Sequence, residues 1–157
     1  MKNCILFTTK HGSTEKAALL LKEKLKAETN IINLKNTKNP DISECVTILL
    51  GASIYMGKIQ KQMRKFIQEH MNELLEKNIA LFIMAGQKEK AQETLSNAFP
   101  TALFEHALAK EYFGFEMILE KMNFIEKVAT KAQGVSESTS EILNDSIEKM
   151  ALKINEL

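Results

Sequence analysis

The chain has no tryptophan and only two tyrosines, two cysteines, two prolines and six glycines. With two cysteines and three scattered histidines, no zinc-type spacing exists. No nucleophile–base arrangement stands out either. His70 falls in a predicted helix and His106 in a predicted strand, neither with an evident partner, so both read as structural and no catalytic or metal residue is assigned. Cys4 and Cys45 lie in apolar, strand-like surroundings and are expected to be two buried, reduced thiols. No run approaches the roughly 20 apolar residues of a membrane span. Neither charge sign dominates: 21 basic side chains face 20 acidic ones, for a net charge of +1, which leaves no field to draw in nucleic acid. Met1-Lys2-Asn3 leads straight into an apolar run that stops by Thr8, so no secretory leader is expected.

What remains is an ordinary globular composition, 45% hydrophobic and 26% charged. Residues 1–157 are expected to form one domain, burying roughly 70% of the unfolded surface, in a cytoplasmic setting. Short β-type runs alternate with helical ones. Strands are predicted at Asn3 to Thr8, Asn30 to Leu34, Val46 to Leu50, Ile79 to Met84 and Thr101 to Ala109. Helices are predicted at Thr14 to Glu28, with Ala17, Ala18, Leu21 and Leu25 on one face, at Gln60 to Glu76, at Lys88 to Ala98 ahead of Pro100, and at Ser140 to Asn155. The segment Lys35 to Glu44 reads as a loop. This alternation defines an α/β class: a five-stranded parallel sheet with helices on both faces, in the doubly wound order 2-1-3-4-5. Ligands in that arrangement bind at the carboxyl ends of strands one and three, which selects the loops after Phe7, Leu50 and Met84.

One stretch exceeds the five-unit plan. Glu111 to Gln133 carries Phe115, Ile118, Leu119, Met122 and Ile125 at helical spacing, with Glu116, Glu120, Lys121 and Lys127 off that stripe. It reads as a helical insert before the last helix, either covering the core or presenting an amphipathic face to a membrane, quinone or protein. The polar run Gln133 to Ser140 ends it and is expected to cap the last helix.

The first loop, Thr9-Lys10-His11-Gly12-Ser13-Thr14, lacks the three glycines of a dinucleotide fingerprint and the Gly-Lys-Thr/Ser of a P-loop. Its hydroxyls surround one glycine at a helix N-terminus, a geometry suited to a phosphate monoester; the bland alternative is a helix N-cap at Ser13. The second, Gly51-Ala52-Ser53-Ile54-Tyr55-Met56-Gly57, is uncharged and sets an aromatic at the switch point, a wall for a flat ligand. Tyr55 gains weight because Tyr112 is the only other tyrosine and tryptophan is absent. The third, Ala85-Gly86-Gln87, is small and polar, and allows a ring edge to approach backbone.

The first loop resembles the flavodoxin phosphate loop, Ser/Thr-x-Thr-Gly-x-Thr, with Thr9, Gly12 and Thr14 matching and His11 in place of the usual threonine. Together with the second loop and the insert, the chain is similar to the branch of flavodoxin-domain proteins that includes menaquinone-dependent protoporphyrinogen oxidase. The resemblance implies non-covalent FMN. Thr9, Lys10, His11, Gly12, Ser13 and Thr14 would hold the phosphate; Ser53, Ile54, Tyr55 and Gly57 would line one side of the ring, and Ala85, Gly86 and Gln87 the other. Flavodoxin shuttles are usually acidic around the flavin, whereas Lys10, His11, Lys58, Lys61 and Lys88 surround this expected mouth, which suits an anionic or carboxylate-bearing partner.

The expected function is an FMN-dependent redox protein passing electrons to a redox partner protein or a quinone. Its alternatives are a protoporphyrinogen oxidase with a quinone acceptor, touching a membrane at most peripherally, and a cofactor-free interaction protein. A response-regulator-like domain is excluded, because the positions that need acidic residues read Thr8-Thr9 and Ala52-Ser53. The oligomeric state is not legible.

Overall fold

The computed structural model describes residues 1–134 and 137–157. In the central sheet β1 (Lys2–Thr8), β2 (Glu28–Asn33), β3 (Thr47–Ser53), β4 (Asn78–Met84) and β5 (Ala109–Tyr112) run parallel in the order β2-β1-β3-β4-β5. This is the predicted doubly wound topology. β3 and β4 are apolar along nearly their whole length because both faces of each are covered.

Alternation along the strands sorts the core into two layers. Leu6, Leu50, Leu81 and Ile83 pack under α2 (Lys61–Leu74), α3 (Ala91–Ala98) and α4 (Thr101–His106), meeting Met63, Ile67, Leu95 and Leu103. Ile5, Phe7, Leu49 and Phe82 face the other way, onto Ala17, Ala18 and Leu21 of α1 (Ser13–Lys24) and Ile147, Met150 and Ile154 of α6 (Asn144–Asn155). Gly51 permits one close approach. It is paired with Phe82 across β3–β4, and a Cβ there would fall inside the Phe82 ring, itself stacked on Phe113 at 4.5 Å between centroids.

Several elements depart from the sequence-based expectation. Thr101 to His106 is helical, entered through Pro100, whose fixed φ suits a helix start. The fifth strand begins at Ala109, where pairing with β4 outweighs the strand-like pattern upstream. The 88–98 helix divides into a 3-10 turn at Lys88–Lys90 and α3. β3 continues through Gly51, Ala52 and Ser53, three residues of the expected second loop.

The expected insert helix is largely a different structure. β6 (Gly114–Met117) pairs antiparallel with β7 (Thr139–Ile142), and between them α5 (Phe124–Ala132) is the one α-helix among the described residues. Gly114 has φ 93°, outside the helical region, and a Cβ there would collide with the Glu141 carbonyl, so glycine is what lets β6 start beside β7. Since β7 takes Ser140 to Ile142, the last helix starts at Asn144, with Leu143 before it and no side-chain cap. Of the run Gln133 to Ser140 expected to supply that cap, Val135 and Ser136 lie outside the described residues.

The two cysteines are also not as expected. Cys4 on β1 and Cys45, just ahead of β3, form a disulfide with Cα atoms 5.9 Å apart. β1 and β3 are neighbours, and their register brings the two side chains together on one face.

Candidate functional site

A cleft of about 740 Å³ opens at the carboxyl ends of the strands, within the size range of cofactor sites. Of the predicted residues, Lys10, His11, Ser13, Ser53, Ile54, Tyr55, Gly57, Ala85, Gly86 and Gln87 line it. Thr9 and Gly12, in the turn that builds the first loop, and Thr14, in the first turn of α1 (Ser13–Lys24), are not among the lining residues.

That turn is held from within. Thr9 Oγ1 accepts the Gly12 N–H at 2.9 Å, and Gly12, at φ 93°, is the residue before α1. Ser13 is therefore the first helical residue rather than the cap, and no side chain caps the helix. By helix geometry the N–H groups of Ser13, Thr14 and Glu15 have no carbonyl four residues back within α1. Thr14 is fully buried, yet its hydroxyl has no hydrogen-bond partner among the described residues. A buried orphan hydroxyl beside unpaired helix N–H groups is the donor set that an anion completes.

The second loop folds by its glycine. Met56 (φ 50°) and Gly57 (φ 76°) occupy a two-residue turn closed by Tyr55–Lys58 backbone bonds of 2.9 and 3.1 Å, the positive-φ pattern of a type I′ hairpin. This lifts Tyr55 to the rim, where it is 42% exposed. Gln60 was not singled out from sequence, yet it ties the two loops together. It accepts from the Thr8 hydroxyl and donates to Ser53 Oγ, each at 2.7 Å.

In the third loop the Ala85 N–H donates to the Gly114 carbonyl at 2.9 Å, and the Ala85 carbonyl accepts the Tyr112 hydroxyl at 2.7 Å. Ile54 and Tyr55 spend their N–H groups on Met84 and Lys58. Among the described residues this leaves the N–H groups of Met56, Gly57, Gly86 and Gln87, all cleft residues, without partners.

The far wall was not anticipated. Phe115, Glu116 and Met117 of β6 and Ile125, Glu126, Ala129 and Thr130 of α5 face the loops across the cleft. Lys16 meets Glu116 at 3.0 Å, where Ser140 also donates at 3.0 Å. Burial pushes the Glu116 carboxyl up, but those two donors and the nearby positive charges outweigh it and hold it low. Glu126 reaches Lys10 Nζ through Oε1 at 2.7 Å, and its Oε2 lies 2.7 Å from His11 Nε2, out of line with the ring N–H. The side chain is shielded from solvent but has little protein beyond its first layer. Desolvation therefore raises its carboxyl less than Lys10 and His11 lower it, and the net direction is down. Lys10 moves up: burial opposes its charge, but Glu126 and Tyr55 prevail, the ammonium standing 3.4 Å from the Tyr55 ring centre. Of the expected basic mouth, Lys10 and His11 face the cleft; Lys88 instead pairs with Glu141 at 3.2 Å, and Lys58 and Lys61 do not line it.

A doubly wound sheet with a hydroxyl-bearing loop and an open helix N-terminus at its switch point defines an α/β protein of the class whose ligands sit at that edge, and the loop suits a phosphate. The family profile described as "Flavodoxin domain" matches residues 4–137, and the chain belongs to that family. A flavodoxin of Clostridium saccharobutylicum is 34% identical over 73 residues, covering 44% of this chain and 46% of that protein; the match thus spans less than half of the relative. A short-chain flavodoxin associated with a non-canonical PDU bacterial microcompartment shares the fold with a TM-score of 0.63 at 12% identity, over 99% of this chain and 97% of that one. A Fusobacterium nucleatum flavodoxin bound to flavin mononucleotide shares it with a TM-score of 0.56 at 11% identity, over 99% and 97%. At such identities the structural likeness establishes the fold.

Proposed function

We propose that this chain is an FMN-binding flavodoxin-type electron-transfer protein. The observation that carries the reading is the Thr14 hydroxyl, buried without a partner beside the open N-terminus of α1. The flavin phosphate supplies the missing acceptor there, seated on the N–H groups of Ser13, Thr14 and Glu15, with Lys10 contributing positive charge and the His11 ring beside it. Thr9 and Gly12 shape the turn. Ser53, Ile54, Tyr55 and Gly57 flank one side of the ring and Ala85, Gly86 and Gln87 the other, with the free N–H groups of Gly57, Gly86 and Gln87 facing its polar edge.

FMN supplies the capacity to accept and return electrons. The chain binds it, orients it, and leaves one edge open at Tyr55 for a redox partner protein or a quinone. A finer reading is protoporphyrinogen oxidation with menaquinone as acceptor. It draws support from the β6–α5 wall, which lies outside the five-unit plan and exposes Phe124 and Ile125 beside the cleft. No helix among the described residues is long and apolar enough to cross a membrane. A cytoplasmic location is part of the proposal, and the Cys4–Cys45 disulfide bears against it, since a reducing cytosol keeps such pairs open.

The test is the visible spectrum of the purified protein, followed by titration with FMN and with riboflavin. Flavin bands and a saturable FMN affinity well above that for riboflavin support the assignment. A colourless protein that ignores micromolar FMN overturns it and leaves an interaction module. Assay of the loaded protein with protoporphyrinogen and menaquinone then separates enzyme from carrier.

A further inference from the structure

We propose that Glu126 is a built-in competitor for the cofactor phosphate: its carboxylate holds Lys10, with the His11 ring alongside, and so latches α5 across the cleft, and a phosphate seated on α1 takes over Lys10 and releases the helix. The inference rests on the phosphate assignment above and concerns what opposes it.

The first observation is how α5 is attached. Glu126 is the only buried residue of the helix, whereas Phe124, Ile125 and Val128 are 81%, 77% and 52% exposed. An apolar seam that would hold the helix to the body is therefore missing along it, and among the described residues its side-chain polar contacts to the body beyond the insert are those of Glu126. The second is what that carboxylate touches. Both oxygens lie 2.7 Å from side-chain nitrogens of Lys10 and His11, the two residues that precede Gly12 and the open N-terminus of α1. The third is incomplete satisfaction. Oε2 is buried without an aligned donor, and the Thr14 hydroxyl is buried without an acceptor. The latched state thus leaves one unpaired group on each side, and neither completes the other.

A phosphate bound at Thr14 introduces up to two negative charges beside Lys10 and His11. Carboxylate and phosphate crowd the same Lys10 ammonium and the same His11 ring, and like charges at that range disfavour one another. The dianion has more acceptor oxygens and the helix N-terminus behind it, so it prevails, and α5 loses its anchor. Lys121, whose Nζ lies 3.6 Å from where a Gly12 Cβ would be, approaches the loop from the same insert and adds a further cation to the phosphate side. Lys16 stays with Glu116.

Glu126→Gln is the informative variant, because Glu126 also serves the start of α5. Asn123 Oδ1 accepts the Glu126 N–H at 2.9 Å, and Asn123 Nδ2 donates to Glu126 Oε1 at 3.0 Å. Glutamine at that position keeps a capping-box partner while removing the charge. FMN and riboflavin affinities are measured for wild type and E126Q. Hydrogen exchange of the α5 amides is followed with and without inorganic phosphate at constant ionic strength.

E126Q is expected to bind FMN about tenfold to a hundredfold more tightly, the range one charge-assisted hydrogen bond carries, with far less gain for riboflavin. In wild type, phosphate is expected to speed α5 exchange about tenfold; in E126Q exchange is already fast. Wild type that binds FMN while E126Q binds it no better, or phosphate that leaves α5 exchange unchanged or slower, overturns the latch and spares the cofactor reading. Wild type that binds neither FMN nor phosphate removes both. Should E126Q not fold, the wild-type exchange experiment decides alone.

Discussion

Replacing Thr14 by valine changes stability and affinity in opposite directions, which makes it a stringent check on the phosphate site. The side chain is fully buried and its hydroxyl has no partner among the described residues. A buried hydroxyl without a hydrogen bond costs about 1–3 kcal/mol, and valine preserves the shape. The ligand-free T14V protein should therefore gain about 1 kcal/mol, or roughly 2–4 °C in Tm for a chain of this size. With FMN the hydroxyl becomes a donor to a charged phosphate, worth about 1.5–3 kcal/mol. T14V should then bind FMN roughly tenfold to a hundredfold more weakly, while riboflavin, which lacks the phosphate, binds as before. Urea unfolding of the ligand-free proteins and flavin-fluorescence titration supply the two readouts. A less stable T14V protein, or equal losses for FMN and riboflavin, would refute the reasoning, because either result means that the hydroxyl is already satisfied within the fold.

Three further outcomes follow from the geometry. Gly51→Ala forces a methyl into the Phe82 ring between two fully buried layers and should cost about 1–3 kcal/mol; a urea midpoint equal to wild type would show that the β3–β4 packing is looser than described. The Lys10–Glu126 contact should give a stability plateau. Glu126 has its carboxyl lowered, so its contribution is present above its ordinary value near 4.5 and fades as pH falls through the lower folded value. Lys10 is raised, so its contribution is complete below about pH 10.5 and is lost as pH climbs through the higher folded value. The unfolding free energy of wild type relative to E126Q, measured across pH, should narrow at both ends; a constant difference would mean that the pair contributes nothing. Finally, the disulfide joins residues 41 apart in sequence, a separation for which loop entropy predicts about 4 kcal/mol. Reductant should lower the urea midpoint accordingly, and an unchanged midpoint would show the thiols already free.

Much of the sheet was legible because its signals are local. β1, β3 and β4 are apolar runs bounded by turn residues, and α1 and α2 carry their buried side chains at helical spacing. β5 was misplaced. It is a four-residue edge strand with Lys110 and Glu111 on it, so its own sequence says little, and pairing with β4 decides its position. The insert misled for a related reason: apolar residues at helical spacing cannot override Gly114, whose backbone must lie against Glu141.

Within the site, the Thr9–Thr14 loop could be read because glycine, hydroxyls and a following helix are contiguous. The same holds for the turn after Ser53, where Gly57 marks the positive φ. Gln60, Glu126 and the Cys4–Cys45 bond had no comparable signal, since each acts on residues from another part of the chain.

By itself, then, the sequence determined the doubly wound sheet and the glycine-and-hydroxyl turn ahead of α1, because hydrophobic periodicity and turn chemistry operate over a few residues. Only the tertiary structure decided that a carboxylate from the insert would meet Lys10 and His11 across the cleft. Ion pairing depends on distance in space, and nothing local to Glu126 encodes which side chains the fold brings to it.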